Sequence, residues 1–143
     1  MSKTVVLIPI HAEYAHPSYH LKSEYSEINF SEFNEKRNCD IREKETNDEN
    51  YHKVSLVTEY TVSLDESDYF CRFDIISPFE SNKSKNDFTK EDFEKALNFH
   101  VNDVKDYINS LELNFPDGIK HNLNFQSMDT QKLSEMLVNH HNG

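Results

Sequence analysis

From His52 to Glu80 the chain alternates apolar and polar residues twice over, and a chain containing this stretch has few ways to fold. Val54, Leu56, Thr58, Tyr60, Val62 and Leu64 fall on one face of a first strand, against Ser55, Glu59, Thr61 and Ser63 on the other, with Val57 as the apolar exception. Asp65, Glu66, Ser67 and Asp68 form a polar turn. Tyr69, Cys71, Phe73 and Ile75 then resume the apolar side, and Arg72 and Asp74 the polar one. A period of two belongs to a strand with one buried and one wet face. A parallel strand buried on both faces would be apolar throughout, so the stretch predicts an antiparallel hairpin at the centre of a sheet.

Downstream the period changes. After a loop from Ser81 to Asp87 rich in Ser, Asn and Lys, Thr89 is placed to cap a helix, with Asp92 three residues on and Phe88 and Phe93 at the flanking apolar positions. Phe93, Leu97, Val101, Val104, Ile108 and Leu111 recur at intervals of three and four, a stripe suited to lie against the sheet. His100 falls on the same side, where a packed histidine is expected. Phe115, Pro116, Asp117 and Gly118 stop this helix. A shorter helix is predicted from about Asp129, with Leu133, Met136 and Leu137 on one side.

Upstream of the hairpin, a weaker strand is expected over Leu21 to Phe33, carrying Tyr25, Ile28 and Phe30. A short strand around Cys39 and Ile41, from Arg37 to Glu43, is followed by a polar turn of Thr46, Asn47, Asp48, Glu49 and Asn50. Residues 1–20 read as an N-terminal extension, either an added edge strand or a mobile arm. Residues 21–139 read as a single domain and residues 140–143 as a frayed tail. Strands first and helices afterwards predict the α+β class: a four-stranded antiparallel β-sheet followed by one long and one short α-helix.

The 143 residues are enough to bury one core without staples. A formal net charge of -11 opposes attraction to phosphate backbones, so no nucleic-acid partner is expected. An acidic surface suits a basic protein partner, mimicry of DNA, or plain solubility. Cys39 and Cys71 are too few for a disulfide framework and lack paired zinc spacing. The apolar run from Val5 to Ile10 holds Pro9 and is far shorter than a membrane span, and no signal-peptide pattern surrounds it. A cytoplasmic protein without membrane insertion is expected.

Gly118 and Gly143 are the only glycines, which leaves no loop to cradle a phosphate. No Ser or Cys stands in a nucleophile's context, and no carboxylate pair can be singled out among the solvated runs such as Glu43, Glu45, Asp48 and Glu49. His11, His16 and His20, near Glu13, are zinc-ligand types at spacings that match no usual motif. No catalytic residue, metal or cofactor is therefore expected, and the chain reads as a binding protein and not an enzyme. Ten phenylalanines and seven tyrosines exceed what such a sheet and two helices require, which implies that some of them serve a partner surface.

The segment Asn38-Cys39-Asp40-Ile41, the polar turn, and the run from Tyr51 to Val62 resemble the second and third strands of the SecB family of protein-export chaperones. Phe70 to Glu80 is similar to that family's fourth strand, which ends in a small residue, a spacer and Phe. Glu94-Lys95-Ala96-Leu97 resembles the approach to its long helix, and Leu123-Asn124-Phe125 with Met128 and Leu133 resembles the entry to its last helix. The likeness spans about residues 23–137. The family's Phe-Pro-x-Ala-Arg sequence is absent, with Phe99-His100-Val101-Asn102-Asp103 near its place, and the first twenty residues have no counterpart. The resemblance implies an ATP-independent chaperone or a specialised relative. Family members are dimers of dimers, so a homo-oligomer, dimer or tetramer, is implied, holding unfolded polypeptide or a specific protein partner in apolar grooves. By position it implies Phe79, Phe125, Met128 and Leu133 as client-binding residues, and Glu27 and Asp74 as acidic partner-binding residues. The alternative is a small acidic inhibitor or adaptor, such as a mobile element would encode, that blocks one folded protein.

Overall fold

The computed structural model describes residues 4–48 and 50–142. Met1, Ser2 and Lys3 of the N-terminal extension, Glu49 of the polar turn and Gly143 of the tail lie outside the described residues. The protein is α+β, with a mostly antiparallel sheet and two helices.

At the centre is the hairpin, β5 (His52–Ser63) against β6 (Tyr69–Ser81), with Val54 opposite Phe79 and Tyr60 opposite Phe73. The alternation sends Val54, Leu56, Tyr60 and Val62 of β5, and Cys71, Phe73, Ile75 and Phe79 of β6, to one buried inner face. There the rings of Tyr60 and Phe73 stack, with centroids 5.0 Å apart. β4 (Glu35–Lys44) pairs along the other edge of β5.

The second edge of β6 carries three short strands end to end: β1 (Leu7–Pro9), β2 (Glu13–Tyr14) and β3 (Ser18–Leu21). All three are antiparallel to β6, and the register explains the breaks. Pro9 to Glu13 must oppose Phe79 to Ile76, and Tyr14 to Ser18 must oppose Ile75 to Arg72, one residue too many each time. Extra residues of this kind bulge an edge strand and interrupt its pairing. The sheet thus has six strands in four lanes, two more strands than expected.

The strand expected over Leu21 to Phe33 is not formed. Leu21 ends β3, and two single 3₁₀ turns follow at Lys22–Glu24 and Phe30–Glu32. The apolar residues Tyr25, Ile28, Phe30 and Phe33 do not hold a period of two. Asn29 instead caps the second turn, its side-chain oxygen accepting from Ser31 N at 3.3 Å. The segment folds over the outer face of the sheet, where Tyr25 and Phe30 pack on Phe70 with ring centroids 4.9 and 4.8 Å away.

α1 (Lys90–Ser110) begins at a reciprocal cap: Asp92 N donates to Thr89 Oγ1 at 3.2 Å, and Thr89 N to Asp92 Oδ2 at 2.9 Å. Phe93, Leu97, Val104 and Ile108 of the predicted stripe are buried, joined by Ala96 and His100. Val101 and Leu111 are half-buried, and Leu111 is already the C-terminal cap. A small hairpin follows, β7 (Glu112–Asn114) and β8 (Lys120–Asn122), turning at Gly118 with φ 89°. Asp117 in this turn accepts from Ser67 Oγ and from Asp68 N, the latter at 3.0 Å, and so ties it to the turn of the central hairpin.

α2 (Thr130–Asn142) closes the fold with Leu137 buried. It keeps residues 140–142 helical where a tail was expected. Among the described residues no helix is long and apolar enough to cross a membrane. The apolar core falls into two clusters, one around Leu56, Phe79, Phe93 and Leu97 and one around Tyr60, Phe73, Val104 and Ile108.

Candidate functional site

A concavity runs between α2 and β4 and wraps around that edge of the sheet, since Asn38, Asp40, Arg42 and Glu59 of its wall belong to the outer face. It has two adjoining hollows of about 260 and 650 Å³ that share Cys39 and Met136 in their walls. Met128 and Leu133 add apolar wall to the smaller, whose floor is Cys39 and Thr58; Val57 and Leu137 line the larger. Arg37 holds the approach to α2 in place, donating from Nη1 to Gln126 O at 2.7 Å. Asp129 then caps the helix by accepting from Lys132 N at 3.0 Å. The bordering strand carries exposed Lys36, Asp40, Arg42 and Lys44. Such charges discourage a further strand from pairing edge to edge.

The residues implied as client-binding are divided by the fold. Met128 and Leu133 line the groove. Phe125 is half-buried against the second core cluster. Phe79 is 1 % exposed on the inner face of β6, beneath α1 and in edge contact with Phe99, so it is a core residue and not a client surface. The alternation that buries Ser77 and Ile75 forces this, since Phe79 shares their parity. Met136, which the helical period places beside Leu133 and Leu137, is 54 % exposed. With Cys39 it completes the groove, and neither stood out in the sequence as a binding residue.

The implied acidic pair is also separated. Asp74 is half-buried on the outer face of the sheet, opposite Glu59, while Glu27 is exposed on the segment between the two 3₁₀ turns. Arg72, Lys36 and Arg42 stand close to Asp74 and Glu59, so this face is mixed in sign.

Beneath the groove lies a buried polar chain that separates the two core clusters. Ser77 Oγ donates to Asp103 Oδ2 at 2.6 Å, leaving its oxygen to accept from His100 Nδ1 at 2.6 Å. Nδ1 therefore carries the proton, and His100 Nε2 accepts from Thr58 Oγ1 at 2.6 Å. Thr58 is in turn hydrogen-bonded to Cys39. Every donor thus has an acceptor, which is the condition for burying such groups. Burial pushes the Cys39 thiol up to about 11 and that of the fully buried Cys71 up to about 12, so neither offers a thiolate at neutral pH.

Burial pulls the pKa of His100 down from 6.5 to about 4. Between those values the unfolded chain binds more protons than the folded one, so stability is full above about pH 6.5 and falls as the pH drops toward 4. The imidazole alone is expected to account for a loss of about 2–3 kcal/mol between pH 7 and pH 4.5. Urea denaturation of the wild type and His100→Gln at the two pH values isolates this share from that of the carboxylates. The variant, which keeps a donor and an acceptor but cannot titrate, should lose that much less on acidification. Equal losses would show that His100 charges freely in the folded state.

His11 and His16 are exposed, and His20 packs on Tyr25 and Phe70. Among the described residues no group of three or more His, Cys, Asp or Glu is placed to hold a metal ion. No family model matches the chain, and no curated protein matches it.

Proposed function

We propose that the protein is a SecB-like, ATP-independent chaperone or a specialised relative, which binds unfolded or partner polypeptide in the groove between α2 and β4. The observation that carries this reading is the groove's lining. Met128, Leu133, Met136 and Cys39 make a flexible, polarisable apolar wall that can repack around different side chains. Support also comes from the architecture, because an antiparallel sheet of four lanes followed by a long and then a short helix is what the resemblance implies. Val6, Ile8 and Ile10, exposed along the edge carrying β1, offer a second apolar surface for assembly into a dimer or tetramer.

The test is solution mass together with suppression of the aggregation of a thermally unfolded client. The wild type is expected to be larger than a monomer and to suppress aggregation. Met136→Glu, which alters an exposed side chain, should weaken suppression roughly tenfold with little change in thermal stability, since a charge must then be desolvated by the client. A strict monomer without suppression would remove the reading. The net charge of -11 favours the competing inhibitor or adaptor. That protein would capture one folded, basic target in a salt-sensitive manner and ignore unfolded chains.

A further inference from the structure

The outer face of the sheet holds a cup of about 540 Å³ that adjoins the larger hollow, with Asn38 and Glu59 in both walls. Ile28 and Phe33 wall it on one side, and Ala15 and His16, from the connection between β2 and β3, on another. Its floor is two cross-strand rows of opposite sign. Asn38, Glu59 and Asp74 are register partners across β4, β5 and β6, and Lys36, Thr61 and Arg72 form the neighbouring row. The rows are two residues apart along each strand, which is about 7 Å.

These charges are not spent on one another. The Arg72 guanidinium lies over the rings of Phe70 and Tyr25, at 5.2 and 5.9 Å, and Lys36 Nζ lies 4.4 Å from the ring centre of Phe33. Among the described residues Lys36, Arg72 and Asp74 form no salt bridge, and Glu59 has only a 3.4 Å contact with the exposed Arg42. Glu59 and Asp74 are like charges directly opposite on one face, an arrangement that destabilises a strand pair. A cation seated between them would relieve it.

We propose that this cup binds a short zwitterionic peptide of dipeptide length. Its ammonium lies between Glu59 and Asp74, its carboxylate on Lys36 and Arg72, and an apolar side chain against Ile28 and Phe33. Length decides the class: two extended residues span about 7 Å, matching the rows, whereas a single amino acid spans about half of that. Asn38 and Glu59 also border the larger hollow beside α2, whereas Lys36, Arg72 and Asp74 line the cup and not that groove, so the site does not depend on the chaperone reading.

The probe is alanyl-phenylalanine, titrated into isotopically labelled protein and followed by amide chemical shifts. Saturable shifts are expected at Lys36, Glu59, Arg72 and Asp74. Acetylating the amine or amidating the carboxylate should each weaken binding about tenfold, because each removes one charge-assisted contact. Asp74→Asn should weaken binding of the free dipeptide several-fold and leave the affinity of the acetylated one unchanged. Absence of saturable shifts up to roughly 10 mM would overturn the proposal, as would equal affinity for free and capped peptides. The capped peptides make that comparison on the wild-type protein, so the result does not rest on any variant folding.

Discussion

Asp92→Ala is expected to destabilise the protein by about 3–5 kcal/mol, because it strands a buried ammonium group. Lys83 Nζ lies 2.7 Å from Asp92 Oδ2, and the two side chains are only 6 % and 10 % exposed. The same carboxylate accepts from Thr89 N in the cap of α1 and sits in the first turn, where the helix favours negative charge. Lys83→Met should cost less, since Asp92 keeps its amide donor and the helix end while losing only its cation. The double variant Lys83→Met/Asp92→Ala should therefore be more stable than Asp92→Ala alone. Urea denaturation of all four proteins at pH 7 gives the coupling directly. A cost for Asp92→Ala under about 1 kcal/mol would mean that Lys83 reaches water when its partner is removed.

What the sequence revealed and what it concealed divide by how local the cause is. The central hairpin is legible because a period of two is written within each strand, and α1 because Thr89, Asp92 and the stripe from Phe93 to Ile108 lie within a few turns of one another. The α+β class follows from those two features. The edge of the sheet was harder to read: residues 7–21 pair with β6 only by bulging twice, and no residue type near His11 or His16 announces an extra residue in the register.

The sites are less legible still. Met136 is readable as one residue of a helical stripe, but its becoming groove wall depends on Cys39, almost a hundred positions away, being brought beside α2. His100 acquires its two hydrogen bonds from Thr58 and Ser77, which share the inner face only once β5 and β6 are in register. Phe79 misleads for the opposite reason. A resemblance at the level of motif assigns it a role, while its parity with Ile75 and Ser77 consigns it to the core.

The segment from Leu21 to Phe33 is where local reading and tertiary structure part most, and Phe70→Ala tests the physical reason. Phe70 has the parity of Arg72 and Asp74, so alternation places it on the wet face, yet it is fully buried. Its cover is the segment itself: His20, Tyr25 and Phe30 bring their rings to within 5.3, 4.9 and 4.8 Å. Those aromatics serve as a lid on one outward ring, and that is why they need no strand period. Removing the ring takes away a large buried surface and leaves a cavity, an expected cost of about 3–5 kcal/mol. The ends of the segment keep their own bonds, Lys22 N to Asp68 O at 2.9 Å and Ser63 N to Asn34 O at 2.8 Å. The middle should therefore loosen while the sheet persists. In hydrogen exchange and limited proteolysis, Phe70→Ala should open residues 23–33 well before β5 and β6. Phe70→Leu, which keeps most of the volume but no ring, should give a smaller loss, with the aromatic contacts worth about 1 kcal/mol each. If Phe70→Ala loosens the hairpin and the segment together, the segment is a full part of the core and not a lid upon it.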